Sequence, residues 1–195
     1  MKARRTAFLD RDGTLNREIG FFGSPDRLEL LPGVRDALHR LHDAGYALVV
    51  TTNQSGIARG LYGERDLARV HERLHELVDG LPLAYLHCPH HPEGSGGYGR
   101  VCACRKPGSG LLQLARELLD VPFAGGCVIG DSARDLLMAR DEPLTKVLVR
   151  SGKPIEEQRQ KLQDAGITPD HEAADLAAAV DWLLARDGRA KIARD

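Results

Sequence analysis

The chain has 195 residues, 42% of them hydrophobic, with 27 Lys+Arg against 28 Asp+Glu and a formal net charge of −1. Such a length and apolar content suit one domain with a sizeable core, and the near-neutral charge excludes a protein that holds nucleic acid or a membrane surface by bulk electrostatics. No apolar run approaches the roughly 20 residues of a membrane helix. The basic start Met1-Lys2-Ala3-Arg4-Arg5 is followed by an apolar stretch too short for a secretory signal core, so the chain reads as cytoplasmic.

Along the chain, apolar runs alternate with segments of helical period. Strands are predicted at Thr6–Leu9, Tyr46–Thr51, Ala84–His87, Cys127–Gly130 and Lys146–Val149. Helices are predicted at Gly33–Ala44, Glu64–Val78, Gly110–Leu119, Ala133–Arg140, Ile155–Ala165 and Glu172–Leu184. Pro32 before the first helix and Gly45 after it are matching start and stop signals. The tail 186–195 is expected to fray. Strand alternating with helix predicts an α/β fold: a Rossmann-like three-layer sandwich with a mostly parallel sheet, spanning 1–195 as one domain. In such folds the ligand site lies beyond the carboxyl ends of the strands. Acidic and polar residues gather at those ends: Asp10 and Asp12 after the first strand, Thr52-Asn53 after the second, Asp131 after the fourth.

Asp10 and Asp12 stand two apart in extended chain, so both can face one site, and Gly13 lets the backbone turn away at once. Adjacent carboxylates repel unless a cation or shared proton relieves them. Asp131 would complete an oxygen site of the kind that suits Mg²⁺. The bland alternative is a solvated Asp-x-Asp-Gly turn.

Four cysteines are too few for a disulfide scaffold, and three of them cluster. Cys127, in an apolar run, reads as a small buried hydrophobe. Cys88-x-His90 and Cys102-x-Cys104 can close a tetrahedral Cys₃His zinc site, structural because four protein ligands leave no open position. His87 and His91 are rival ligands, and free thiols are the alternative. The loop concerned, about 86–107, ends at Arg105-Lys106, so zinc there would hold those cations against the site. Gly94-Ser95-Gly96-Gly97-Tyr98-Gly99 matches a dinucleotide fingerprint in letters only, because it neither directly follows a strand nor opens a helix.

Asp10-x-Asp12-Gly13-Thr14, Thr52, Lys106 and Gly130-Asp131 with Asp135 stand in the order of the four motifs of the haloacid-dehalogenase-type phosphatases, which this chain resembles over about 6–150. Thr52-Asn53-Gln54-Ser55-Gly56-Ile57-Ala58-Arg59-Gly60, Cys88-Pro89-His90-His91-Pro92 and Cys102-Ala103-Cys104-Arg105-Lys106-Pro107 narrow the likeness to the heptose-bisphosphate and histidinol phosphatase branch. The resemblance implies a Mg²⁺-dependent phosphatase that removes the 7-phosphate of a heptose 1,7-bisphosphate through an aspartyl-phosphate. Asp10 would be the nucleophile and Asp12 the general acid/base. Thr52 and Lys106 would steady the phosphoryl group. Mg²⁺ would sit on the carboxylates of Asp10 and Asp131 and the backbone carbonyl of Asp12, and the zinc pattern selects His90. The substrate contacts implied are Glu18, Ile19, Gly20, Phe21, Thr52, Asn53, Gln54, Ser55, Arg105 and Lys106, with Arg105 suited to a second anionic group. Ser132 stands where this branch often carries lysine. The expected partner is a small phosphorylated sugar, without nucleic acid or membrane, and the expected state a monomer without a large cap domain. Histidinol phosphate or another small sugar phosphate is the alternative substrate. From a different class comes a zinc-loop binding protein that has lost catalysis; its only support is the basic start and the cysteine loop.

Overall fold

The computed structural model describes residues 5–192. Six parallel strands, β1 (Arg5–Leu9), β2 (Tyr46–Asn53), β3 (Ala84–Cys88), β4 (Cys127–Gly130), β5 (Thr145–Val149) and β6 (His171–Ala173), form one sheet in the order β3-β2-β1-β4-β5-β6. The helices are α1 (Val34–Asp43), α2 (Glu64–Leu77), α3 (Gly110–Leu119), α4 (Ala133–Met138), α5 (Ile155–Asp164) and α6 (Leu176–Ile192). Among the described residues no helix is long and apolar enough to cross a membrane.

The central strands read as unbroken apolar runs because both faces of the sheet are covered. Ala7, Leu9, Leu48, Val50, Cys127, Ile129, Val147 and Val149 face a core completed by α1 and α6. Their neighbours Phe8, Val49 and Val128 point the other way, onto Leu111, Leu112 and Ala115 of α3. Cys127 is fully buried, and burial pushes its thiol up to about 12, as befits a packing residue. β1 lies between β2 and β4, so successive connections leave it in opposite directions and open a crevice at its carboxyl end.

Two differences from the predicted elements stand out. The stretch predicted to begin a helix at Glu172 begins instead as β6, which pairs with β5 through Val147–His171 to Val149–Ala173, and the helix starts at Leu176. The tail expected to fray from Arg186 is helical as far as Ile192, in α6, and 193–195 lie outside the described residues. Arg186 Nη1 donates to Thr145 Oγ1 at 2.6 Å, and Asp187 accepts from Tyr46 Oη at 2.8 Å and pairs with Arg5. A smaller difference lies at β2, which keeps Thr52 and Asn53 inside the strand.

Candidate active site

Asp10 and Asp131 follow adjacent strands, and the Asp10 N–H donates to Ile129 O at 2.9 Å across them. Gly13 turns the chain at φ +89°, and a Cβ there would stand 2.3 Å from Asp131 Oδ2, so glycine is required both for the turn and for the approach. Asp10, Asp131 and Asp135 bring carboxylate oxygens within 4.8 Å of one another. Lys106, 2% exposed, reaches into this cluster. Its ammonium donates to Asp10 Oδ1 at 2.6 Å and Thr51 O at 2.8 Å, and pairs with Asp135 Oδ1 at 2.5 Å. Three acceptors saturate three N–H bonds. Among the described residues, Asp10 Oδ2 has no donor.

One ammonium does not balance three carboxylates. Burial, together with Asp135, Asp131 and Asp12, lifts Asp10 well above the usual carboxylate range despite the pull of Lys106. Burial and the Asp135 charge raise Asp131 to about 7, against the Lys153 backbone N–H on its Oδ2 at 2.9 Å. Buried, all-oxygen and short of positive charge, the cluster fits a hard divalent cation such as Mg²⁺. The Asp12 carboxylate lies outside that cluster, consistent with a contribution through its backbone carbonyl.

Asp12 is held from behind. Its Oδ1 accepts from Arg11 Nη2 at 2.9 Å and Asn16 Nδ2 at 3.0 Å; its Oδ2 accepts from Arg11 Nη2 and Gln54 Nε2, both at 2.9 Å. Arg11 is buried, packs over the Phe22 ring at 5.1 Å, and has Nη1 3.3 Å from His71 Nε2. The second Gln54 N–H goes to Thr52 Oγ1 at 2.8 Å, while Tyr62 Oη donates to Gln54 Oε1 at 2.6 Å and fixes the amide's direction.

A cleft opens over these groups, and Asp10, Asp12, Thr52, Lys106, Asp131 and Glu18 all line it. Asn53 lines it too and locks Lys106 in place, donating to its carbonyl and accepting from its N–H, each at 3.0 Å. Gln54 and Ser55 are buried outside the lining, and Arg105 stands beyond it with Nη1 3.3 Å from His90 O. Ile19, Gly20 and Phe21 lie off the lining as well; the Gly20 N–H donates to Glu18 Oε1 at 2.8 Å, and Phe21 is half-exposed. Arg134 and Lys153 were not expected, yet both line the cleft. Asp135 was anticipated only as part of a motif; a carboxylate one helical turn after Asp131 is the signal that marks it.

The cysteine loop closes on itself. Cys88, Cys102 and Cys104 sulfurs lie 3.1–3.4 Å apart, and His90 Nδ1 is 3.8 Å from Cys88 Sγ and 3.4 Å from Cys104 Sγ. A tetrahedral thiolate–imidazole zinc site has edges of about 3.5–3.8 Å, from metal–ligand lengths of about 2.0–2.3 Å. The donor set therefore fits zinc with little contraction or expansion. Burial and the Arg100 charge lower the pKa of the His90 ring, which favours the neutral form that a ligand needs. Arg100 Nη2 lies 2.9 Å from His90 Nε2, a contact that a metal on Nδ1 would release by moving the ring proton to Nε2. The rivals are engaged elsewhere: His87 with Glu64 Oε2 at 2.8 Å, His91 with the Glu93 N–H at 3.1 Å.

Residues 103–179 match the family model described as HAD-hydrolase-like. A curated D-glycero-β-D-manno-heptose-1,7-bisphosphate 7-phosphatase from Haemophilus ducreyi is 42% identical over 83% of this chain and 91% of its own length. The protein of that name from Escherichia coli K12 is also 42% identical, over 91% of this chain and 86% of its own. Among solved structures, the D,D-heptose 1,7-bisphosphate phosphatase of B. bronchiseptica, complexed with magnesium and phosphate, superposes with a TM-score of 0.77 at 36% identity, covering 93% of this chain and 99% of that one.

Proposed function

Because the chain belongs to the haloacid-dehalogenase-like hydrolases, alongside the bacterial heptose-bisphosphate phosphatases, we propose that it removes the 7-phosphate of D-glycero-β-D-manno-heptose 1,7-bisphosphate. The observation that carries this reading is the knot at the strand ends, in which Lys106 binds one oxygen of Asp10, a residue that lines the cleft, and leaves the other without a donor among the described residues.

Asp10 Oδ2 attacks phosphorus, and the bond from phosphorus to the sugar oxygen breaks. Asp12, protonated at this stage, gives its proton to that leaving oxygen. It then takes a proton from water as the water attacks phosphorus, which frees inorganic phosphate and regenerates the Asp10 carboxylate. Lys106 holds Asp10 in line, and the Thr52 hydroxyl donates to a phosphoryl oxygen. Asp10, Asp131 and the Asp12 carbonyl would hold Mg²⁺, which when bound supplies the positive charge that lets an anionic nucleophile approach an anionic phosphate. Cys88, His90, Cys102 and Cys104 would hold structural zinc. Three thiols kept unpaired for a metal need a reducing compartment, which supports a cytoplasmic enzyme; we read it as a monomer acting on a small phosphorylated sugar.

The test is phosphate release from both anomers of the heptose bisphosphate and from histidinol phosphate, with Mg²⁺ and with EDTA. Fastest release from the β-anomer, lost in EDTA, is expected. Asp10→Asn is expected to lower release by about 10³-fold or more while its thermal melt stays cooperative. Preference for histidinol phosphate, or substantial turnover by Asp10→Asn, overturns the reading.

A further inference from the structure

The cleft is lined by two cations that the phosphoryl chemistry does not use. Lys106 is committed to Asp10 and Asp135, yet Arg134 and Lys153 also line the cleft. Arg134 is half-buried, and among the described residues its side chain has neither a hydrogen-bond nor an ion-pair partner. No carboxylate of the described residues forms an ion pair with it. A guanidinium left without a partner beside a cleft suits an anion that comes and goes.

The backbone of Lys153 is fixed beside the catalytic groups. Its backbone N–H binds Asp131 Oδ2, and Ser151 Oγ donates to Gly13 O at 2.7 Å. Between them Gly152 packs so closely that a Cβ would stand 2.0 Å from Asp131 Oδ2 and 2.8 Å from the Gly13 Cα. The side chain then crosses to Glu18, with Nζ 2.6 Å from Oε2. Both side chains are about a quarter to a third exposed, at 26% for Glu18 and 32% for Lys153, and a partly solvated pair of this kind is held weakly. A doubly charged phosphate binds the same ammonium more strongly than one carboxylate does.

We propose that Arg134 and Lys153 form the subsite for the second anionic group of a bisphosphorylated substrate, and that Glu18 occupies Lys153 until that group displaces it. This rests on the proposed phosphatase activity and deepens it: the reacting phosphate goes to Asp10, and preference for a second phosphate is set by a pair of residues on α4 and on the β5–α5 loop. Ligand exchange at Lys153 breaks one ion pair and forms another, with no net change of charge at the lysine.

The experiment compares kcat/KM for the heptose 1,7-bisphosphate with that for the heptose 7-phosphate, which has the same reacting group and lacks the second anion. Arg134→Gln and Lys153→Gln are each expected to lower the preference for the bisphosphate about tenfold, mainly through KM. Lys153→Arg is expected to retain most of it. Glu18→Gln, by freeing Lys153, is expected to lower the KM for the bisphosphate about threefold, an effect absent when Lys153 is already Gln. Substitution at Lys153 leaves its backbone bond to Asp131 in place, so a folding defect does not confuse the result. Variants that lower turnover of both substrates equally, or that leave the preference unshifted while wild-type protein is active, overturn the subsite alone. Wild-type protein that releases no phosphate from the bisphosphate overturns the proposed function together with it.

Discussion

Gln54 decides which way a proton points. An amide nitrogen can only donate, and both its hydrogens are spent, one on Asp12 and one on Thr52. Thr52 Oγ1 therefore accepts from Gln54, and its own hydrogen is free to turn into the cleft. Gln54→Glu keeps the shape but removes both donors; it draws the Thr52 hydrogen backwards and sets a second acid against Asp12. Steady-state kinetics are expected to show about a hundredfold loss in that variant, the scale of losing one preorganised donor, and a smaller loss in Gln54→Ala. His71 makes a different prediction. Burial, then the Arg11 and His87 charges, push its pKa from 6.5 down to about 3. The unfolded chain thus takes up a proton that the folded chain refuses, so the stabilisation is complete above 6.5 and lost as pH falls from there towards 3. Thermal melts are expected to drop as pH goes from 7 to 4, and to drop less in His71→Gln.

The cysteine loop links two strand ends to the chemistry. Cys88 closes β3, while Cys102 and Cys104 precede Arg105 and Lys106, so one ion on these ligands would fix the path of the chain into the cleft. Asn53, at the end of β2, clamps the Lys106 backbone from the other side. Cys102→Ser is expected to empty the zinc site, read by elemental analysis of the purified protein. Activity should fall about tenfold or more, because Lys106 is then less well placed relative to Asp10. Unchanged zinc content in that variant would refute the ligand set.

Charge makes the folded molecule as a whole sensitive to pH and to cation. Asp131 is raised from 3.8 to about 7, and Asp10 is raised too. For an acid shifted upward the sign is the reverse of the usual one: the folded state keeps protons that the unfolded chain has lost, so stability of the metal-free protein declines as pH rises from 3.8 towards 7. Mg²⁺ binds the deprotonated cluster and so competes with protons. A saturating excess is expected to raise the melting temperature at pH 8 by about 2–6 °C, and by much less at pH 5. Equal stabilisation at both pH values would place the cation elsewhere.

Local pattern carries as far as local physics does. Apolar runs locate β1 to β5 because buried strands exclude polar side chains, and helical spacing locates α1 to α5 to within a few residues. The period of two places Asp10 and Asp12 together, and paired cysteines announce a metal loop. The three-residue β6, His171–Ala173, has no such run; only its pairing with β5 makes it a strand. Arg5, Tyr46 and Thr145, far away in sequence, hold Asp187 and Arg186 in α6 against the sheet. Gln54 reads as a substrate contact from its motif, and folding adds its bonds to Thr52 and Asp12. Arg134 and Lys153 sit in stretches where a charged residue is unremarkable, and only the approach of Gly152 to Gly13 and Asp131 brings Lys153 into the cleft. The sequence by itself determined which residue types could do phosphoryl chemistry and on which strands they stand, since these follow from side-chain period and burial. Tertiary structure alone decided which charges meet, because the distance between Lys106 and Asp10, or between Lys153 and Glu18, depends on how remote segments pack.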